Sequence, residues 1–166
     1  MKIYTKTGDA GMTSLYTGER VDKNSLRVQV YGAIDEVDSA LGLARAFVAV
    51  DDVREKIFTV QKILPRLMAD FAILNREPLV TAEDVSHLEN QMDALESSLP
   101  PLKEFLIPGN SKGGAFLDLA RTITRRAERL ACELAKTEPV HEADKIFLNR
   151  LSDYCFMLMR REDIAK

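Results

Sequence analysis

The sequence predicts an all-α fold, in which five helices pack as one bundle behind a polar loop rich in glycine and threonine. Apolar residues recur at helical spacing from residue 25 almost to the last residue, and strand patterns are nearly absent outside KIYT at residues 2–5. The 166 residues, of which 46% are hydrophobic and 30% charged, suit one domain with a buried core. We therefore expect a single domain over residues 1–166, with the loop at 1–24 and the bundle at 25–164.

The opening loop, YTKTGDAGMTSLYTGER, has the composition of an anion-binding loop. Gly8 and Gly11 allow backbone N–H groups to approach an anion closely, and Lys6 and Lys23 add positive charge. The loop matches neither the GxxxxGK[ST] phosphate loop nor the GxGxxG dinucleotide turn. A polar arm that is disordered or packs on a neighbour fits equally well. Hydroxyl donors come from Thr5, Thr7, Thr13 and Ser14.

The first two predicted helices cover residues 25–49 and 51–75. Ser25 is a candidate N-cap for the first, and the acidic pair DD at the start of the second suits the positive end of a helix dipole. Pro65 lies inside the second segment, where it lacks an N–H and collides with the preceding turn. We expect it to kink or split that helix.

The last three predicted helices cover residues 81–98, 111–136 and 140–163. Thr81 suits the N-cap of the third helix. Between the third and fourth helices, PPLKEFLIPGN contains three prolines and a glycine, which predict a loop.

Three arginines of the motif RTITRRAER share one face of the fourth helix. Arg121, Arg125 and Arg129 are spaced i, i+4 and i+8, with Arg126 and Glu128 beside them. A solvated basic face is the common explanation of such a run. The apolar flanks FLDLA and LACELA favour a partly buried row instead, which needs carboxylates or phosphates as partners.

Acidic and amide side chains on other helices are candidate partners for that row. Asp35, Glu36 and Asp38 lie in YGAIDEVDSALG on the first helix, and Asp35 is the candidate partner of an arginine; a solvated acidic strip is the alternative. Asn149 and Asp153 in NRLSD share a face of the fifth helix, where a polar pair among apolar neighbours needs hydrogen-bond partners.

The loop KEFLIPGNSKGG places three apolar residues, Phe105, Leu106 and Ile107, beside a proline and a glycine. An apolar segment in a loop either fills the core or lines the site of a large apolar ligand. The sequence alone leaves both alternatives open.

Composition excludes several classes of protein. A net charge of -3 argues against a nucleic-acid partner, and the absence of an apolar run of 18 residues argues against a membrane partner. Cys132 and Cys155 lie in apolar helical patterns without zinc spacing, so we expect reduced, buried thiols and no metal site. The N-terminal residues do not resemble a signal peptide, so we expect a cytoplasmic protein.

Five motifs occurring in order from residue 3 to about residue 160 together resemble the PduO-type ATP:cob(I)alamin adenosyltransferases: IYTKTGDAGMTSLYTGERVDK, YGAIDEVDSALG, FLIPGNS, RTITRRAER and NRLSD. The resemblance implies a five-helix bundle of the ferritin-like, cobalamin adenosyltransferase-like kind. It also implies an N-terminal ATP-binding loop, and a homotrimer with active sites between neighbouring subunits.

The resemblance further implies an enzyme that adenosylates a corrinoid. Co(I) of cobalamin or a related corrinoid attacks C5′ of ATP, triphosphate leaves, and adenosylcobalamin forms. ATP is the co-substrate and Mg²⁺ accompanies it. A reductase that supplies Co(I) and an adenosylcobalamin-dependent client enzyme are the implied protein partners.

The same resemblance assigns roles to individual residues. It implies that Phe105 lies under the corrin ring and keeps the lower axial ligand away, and that Asp35 and Arg121 form a salt bridge across the subunit interface. Arg125 is implied to act in catalysis and to bind ATP. The ATP-binding residues implied by motif position are Thr5, Lys6, Thr7, Gly8, Thr13, Ser14, Lys23, Arg125, Arg126, Glu128, Arg129 and Asn149.

Three departures from the family pattern affect the expected site. Asp38 stands where the family often has Asn, which adds a negative charge near the expected ATP site. Asp118 stands where the family often has His, and the chain ends soon after RRED, without the longer tail of some members.

Two other functions fit the same residues. One is a non-catalytic ATP-binding trimer that senses nucleotide or carries adenosylcobalamin. The other is a helical interaction module, for which ATP would not raise the melting temperature.

Overall fold

The computed structural model describes residue 4, residues 6–73 and residues 75–164, and it confirms the helical bundle. Pro65 is the second residue of a new helix, so the second predicted helix is split into two and the other four are found nearly as predicted. The six helices are α1 (Leu26–Phe47), α2 (Asp51–Gln61), α3 (Leu64–Ala72), α4 (Ala82–Ser98), α5 (Lys112–Leu134) and α6 (Glu142–Asp163).

The opening loop contains a short hairpin that the sequence analysis missed. Strand β1 (Met12–Ser14) pairs antiparallel with β2 (Arg20–Asp22), and Thr13 lies opposite Val21. Gly18, with φ +96°, supplies the left-handed conformation that the connecting turn requires. Six residues in strands leave the all-α fold class intact.

Helix α1 packs against α5, α2 and α3, and α6 packs between α5 and α4. Buried side chains from all six helices form one core, among them Ile34, Ile57, Leu67, Leu88, Leu117 and Leu148. This arrangement brings α5 and α6 side by side, which positions the arginine row next to the NRLSD motif.

A glycine allows α5 to begin directly against the C-terminal end of α1. A Cβ on Gly113 would lie 2.8 Å from the Cα of Val48, closer than side-chain carbons approach. On the same side, the carboxylate of Glu162 accepts hydrogen bonds from the backbone N–H groups of Ala49 (2.7 Å) and Val50 (3.1 Å). The end of α6 therefore caps the start of α2.

Both predicted N-cap residues stand at the starts of their helices, but only one of them caps its helix through its side chain. Thr81 and Asp84 form a capping box at the start of α4. Ser25 stands at the N-cap position of α1, but its hydroxyl makes no capping hydrogen bond and finds no partner among the described residues.

The two cysteines differ in burial. Cys155 is fully buried, and burial is the main cause that raises the pKa of its thiol to about 12. The prediction of a buried thiol is wrong for Cys132, which is exposed because it lies on the outer face of α5.

Across the part of the chain that the structure describes, no helix combines the length and the apolarity that crossing a membrane requires.

Candidate active site

The segment before α1, residues 6–24, is ordered and is called here the N-terminal arm. Leu15 is buried, and the N–H of Tyr16 donates to the carbonyl of Ala72 at the end of α3 (3.3 Å). These two contacts hold the hairpin of the arm against the bundle.

Arg20 and two glycines shape the loop of the arm. The Arg20 guanidinium donates to the carbonyl of Thr7 (2.9 Å) and to the hydroxyl of Ser14 (3.3 Å). Gly11 has φ +82°, and a Cβ on Gly8 would lie 2.9 Å from the Nζ of Lys23. Glycine at position 8 therefore leaves room for the ammonium group of Lys23.

The arm thus brings together most of the loop residues that the sequence analysis singled out. The cation Lys6 is exposed and has φ +61°. Thr5 lies outside the described residues. Arg20, which organises the arm, was not a predicted site residue, although its position in TGER marked it as a charge beside a turn.

The arginine row is divided between paired and unpaired side chains. Arg121 donates to Asp118 (2.8 Å) and Arg126 pairs with Glu36. Arg125 and Arg129 are exposed, and neither forms an ion pair with another described residue. Half of the row is therefore available to an anionic ligand.

Of the polar pair of α6, Asn149 finds hydrogen-bond partners on both sides, whereas the prediction that Asp153 lies in an apolar setting and needs a partner is wrong. The amide of Asn149 donates to Glu128 on α5 (2.8 Å), and its oxygen accepts from Arg150 (2.6 Å). These contacts tie the NRLSD motif to the helix of the arginine row, in agreement with the prediction for Asn149. Asp153 is exposed.

A cavity of about 310 Å³ lies between the loop before α5, the helix α5 and the helix α6. Its lining includes Phe105 from the loop, Arg121 and Arg125 from α5, and Asp153 and Phe156 from α6. The walls combine apolar groups with two arginines and two carboxylates, of which Asp118 is paired with Arg121 and Arg125 has no ion-pair partner among the described residues. Such a lining suits a large ligand with an apolar face, and Arg125 can meet an anionic part of it.

The aromatic side chain of Phe105 is 92% exposed, and Ile107 is 80% exposed. Leu106, between them, packs against the core. Of the two alternatives for this apolar loop, filling the core therefore applies to Leu106 and not to its neighbours.

The acids of α1 were expected to meet the arginine row, and one of them does so within a single chain; the pairing of Asp35 with Arg121 across a subunit interface stays a prediction. Within one chain, Glu36 is the carboxylate that meets an arginine of α5. Asp35 is exposed and forms no ion pair with the other described residues. The carboxylate of Asp38 accepts a hydrogen bond from the amide of Gln61 on α2 (2.7 Å). This neutral donor partly stabilises the negative charge of Asp38.

Comparison with known proteins identifies the family. The family model described as "Cobalamin adenosyltransferase" matches residues 3–162. A corrinoid adenosyltransferase from Bacillus subtilis is 46% identical over 96% of this chain and 86% of its own length. One from Citrobacter freundii is 37% identical over 98% of this chain and 95% of its own length.

A solved structure has the same fold. It is a phenylalanine-to-histidine variant of a PduO-type ATP:corrinoid adenosyltransferase from Lactobacillus reuteri, complexed with cobalamin and ATP. Its TM-score to this chain is 0.93, at 31% identity over 98% of this chain and 91% of that chain. The chain therefore belongs to the cobalamin adenosyltransferase family, as an enzyme of the PduO type.

Proposed function

We propose that this chain transfers the 5′-deoxyadenosyl group of ATP to Co(I) of cobalamin or a related corrinoid. The cobalt electron pair forms the Co–C5′ bond, the C5′–O bond breaks, and triphosphate leaves with the electrons of that bond. The observation that carries the proposal is the cavity that brings Phe105, Arg121 and Arg125 together. The reaction needs no protein base, because Co(I) is itself the nucleophile, so the side chains act by positioning and by stabilising charge.

The arm is the proposed holder of the triphosphate. Lys6 and Lys23 supply positive charge, and Gly8 leaves space for the Lys23 ammonium beside the backbone. Thr13 and Ser14 supply hydroxyls. Together with Thr5, Thr7 and Gly8, these residues would wrap an anion with short donors and little side-chain bulk.

The second proposed ATP surface is the junction of α5 and α6. Arg125 and Arg129 are exposed and have no ion-pair partner among the described residues, so an incoming phosphate need not displace a carboxylate from them. Arg126 and Glu128 lie on the same helix, and Glu128 fixes the amide of Asn149 at 2.8 Å. Arg125 acts on the leaving triphosphate, where charge accumulates as the C5′–O bond breaks.

Phe105 is proposed to occupy the lower face of the corrin ring. An exposed aromatic ring offers an apolar surface there, which excludes water and the lower axial ligand of cobalt. Removing that ligand favours the reduced metal that attacks ATP. Phe105 therefore serves turnover more than ATP binding.

A magnesium ion accompanying ATP fits the residues only as a ligand of the phosphates. The described residues contain no group of three or more His, Cys, Asp or Glu that could hold a metal ion. Mg²⁺ is commonly held by substrate phosphates with one or two carboxylates. When bound it would neutralise charge on the departing triphosphate.

We propose the homotrimer that the family resemblance implies, and the exposed apolar side chains of α1 and α5 supply a surface on which copies can associate. Leu43, Phe47 and Leu119 are 40%, 48% and 46% exposed on these two helices. Such a patch marks an interaction surface. We propose that copies of the chain meet there, with Asp35 of one subunit paired to Arg121 of the next across the composite site.

The proposed setting is the cytoplasm, with a reductase that delivers Co(I) and an enzyme that consumes adenosylcobalamin. A Co(I) corrinoid is strongly reducing, so the reduction step must occur close to the transfer step.

The deciding experiment mixes purified protein, MgATP and chemically reduced cob(I)alamin without oxygen, and follows the Co(I) absorbance. We expect protein-dependent formation of adenosylcobalamin with one triphosphate per product. Phe105→Ala should keep ATP binding but lose most turnover, whereas Ile107→Ala, in the same loop, is the matched control. ATP binding without turnover by the wild-type chain would contradict the proposal and favour a nucleotide sensor or carrier.

Arg125→Ala tests the charge assignment in the same assay. A charge-assisted hydrogen bond contributes about 1.5–3 kcal/mol, so kcat/KM should fall about tenfold to a few hundredfold. The melting temperature should not change, because Arg125 is exposed and pairs with no described residue. An equal loss for the exposed Lys136→Ala would show that surface charge in general, and not Arg125, sets the rate.

A further inference from the structure

The C-terminal end of α3 joins three other parts of the chain. The carboxylate of Asp70 accepts hydrogen bonds from the backbone N–H groups of Leu79 and Val80 at 2.8–2.9 Å. The next two carbonyls, of Phe71 and Ala72, accept from the Arg27 guanidinium (3.0 Å) and from an N–H of the N-terminal arm (3.3 Å). Three consecutive residues thus connect α3 to α1, to the arm and to the segment before α4.

Helix α6 adds a fourth connection through a buried acid. Asp144 is 1% exposed and lies beside Asp70 in the lining of one cavity, so the two carboxyl groups interact directly. Burial, and then the negative charge of Asp70, raise the pKa of Asp144 to about 8. Because two buried carboxylates side by side repel each other, the pair is favoured when one of them keeps its proton and a hydrogen bond joins the two.

The surroundings of Asp144 make ionisation costly. Its Oδ1 has no hydrogen-bond partner among the described residues, so nothing there stabilises a negative charge. It lines a cavity of about 560 Å³ between the ends of α1, α3 and α6. The charged and titratable groups that share this lining are Arg27 of α1, Asp70 of α3, Arg76 and Glu77 after α3, and Glu138 and His141 before α6.

The main buried cation of the cavity is already bound to groups other than Asp144. The Arg27 guanidinium is bound to Glu138 (2.8 Å) and to two carbonyls. Arg76 is exposed, and the carboxylate of Glu77 lines the same cavity. A second negative charge on Asp144 would face Asp70 directly, and the two would repel.

We propose that Asp144, packed against Asp70, is a positioning residue for ATP: it fixes the end of α3, and through the carbonyl of Ala72 it fixes the arm that binds the triphosphate. This inference rests on the proposed ATP-binding role of the arm. Loss of the proton would separate Asp144 from Asp70 and loosen the end of α3. ATP binding would then weaken, while the chemistry at the Phe105 cavity would change less.

The first test is the pH dependence of KM for ATP with Asp144→Asn, Asp144→Ala and the control Asp93→Asn, at an exposed position of α4. In the wild type and the control, KM should rise above pH 8. Asp144→Asn, whose amide can still donate to Asp70, should keep the neutral-pH KM and lose the rise. Asp144→Ala should raise KM by about 2- to 10-fold at pH 7, the size of one hydrogen bond, with a smaller change in kcat.

Amide hydrogen exchange of the arm tests the positioning without ATP. Exchange across residues 12–22 should be faster in Asp144→Ala than in Asp93→Asn, and should return to the wild-type rate in Asp144→Asn. Unchanged exchange in Asp144→Ala, or an unaltered pH profile in Asp144→Asn, would overturn the inference. Faster exchange with unchanged ATP affinity would instead contradict ATP binding by the arm, which belongs to the proposed function.

Discussion

Replacing Arg27 by methionine should lower the free energy of unfolding by about 3 kcal/mol, the cost of breaking a buried charge-assisted network. Arg27 is only 4% exposed. Its guanidinium donates to Glu138 (2.8 Å), to the carbonyl of Phe71 (3.0 Å) and to the carbonyl of Pro139 (3.3 Å). Methionine keeps the unbranched apolar stem and removes all three donors.

The magnitude follows from which partners water can reach. The Glu138 side chain is 43% exposed, so water can replace the guanidinium there, and the ion pair contributes at most about 1 kcal/mol. The hydrogen bond to Phe71 is buried, and leaving such an acceptor without a donor costs about 1–3 kcal/mol. The half-buried bond to Pro139 adds to this, but the terms share one guanidinium and do not sum.

Thermal unfolding at fixed protein concentration measures the effect, since association with other copies also stabilises the fold. About 3 kcal/mol corresponds to a fall in Tm of about 6–12 °C for a chain of this length. Lys136→Met, which removes a pair whose lysine is 68% exposed, is the control and should leave Tm nearly unchanged. A fall of less than about 2 °C would refute the reasoning, as would a loss that vanishes in 1 M salt, because only an exposed ion pair is screened.

Three further outcomes follow from the buried groups. The folded chain keeps the Asp144 proton up to a pKa of about 8, whereas the unfolded chain loses it near 3.8. The free energy of unfolding should therefore fall as pH rises between these values, by up to about 1.4 kcal/mol per pH unit. Urea titrations across this range should show a flatter pH profile for Asp144→Asn. Gly113→Ala should cost about 1–3 kcal/mol, measured by the same titrations, because the added Cβ meets the backbone of Val48. A thiol reagent should modify Cys132 rapidly and Cys155 only on unfolding, because burial raises the pKa of the latter to about 12; fast reaction of both would contradict the packing of α6.

Helical periodicity predicted the bundle closely because each long helix buries one face continuously. The third predicted helix, 81–98, differs from α4 by one residue. Its start was predictable because Thr81 and Asp84 form a cap from residues close together in the sequence. Pro65 predicted the break in the second helix because a proline disrupts a helix at its own position, whatever the tertiary packing. Strands of three residues, such as β1, carry no comparable pattern, so the hairpin of the arm was missed.

The candidate site was predictable where its residues lie on a single helix or loop. It was less predictable where contacts form between residues of different helices. The spacing of Arg121 and Arg125 placed them on one face of α5, and both line the cavity that contains Phe105. Periodicity could not say that Glu36, and not Asp35, would meet α5 within one chain. It also gave no signal for Asp144, because pairing with Asp70 depends on how α3 and α6 pack.

The exposure of Phe105 has a consequence for how the protein behaves in storage. Phe105 is 92% exposed, and Ile107, two residues away, is 80% exposed. Together they form an apolar surface that favours association with other molecules in solution. Burying one such side chain is worth about 2–3 kcal/mol, or about 30- to 150-fold in affinity. A corrinoid bound at the proposed position over Phe105 would therefore also shield the chain from its copies. Substrate would then act as a solubilising agent, and the apo protein would be the form that is most prone to self-association.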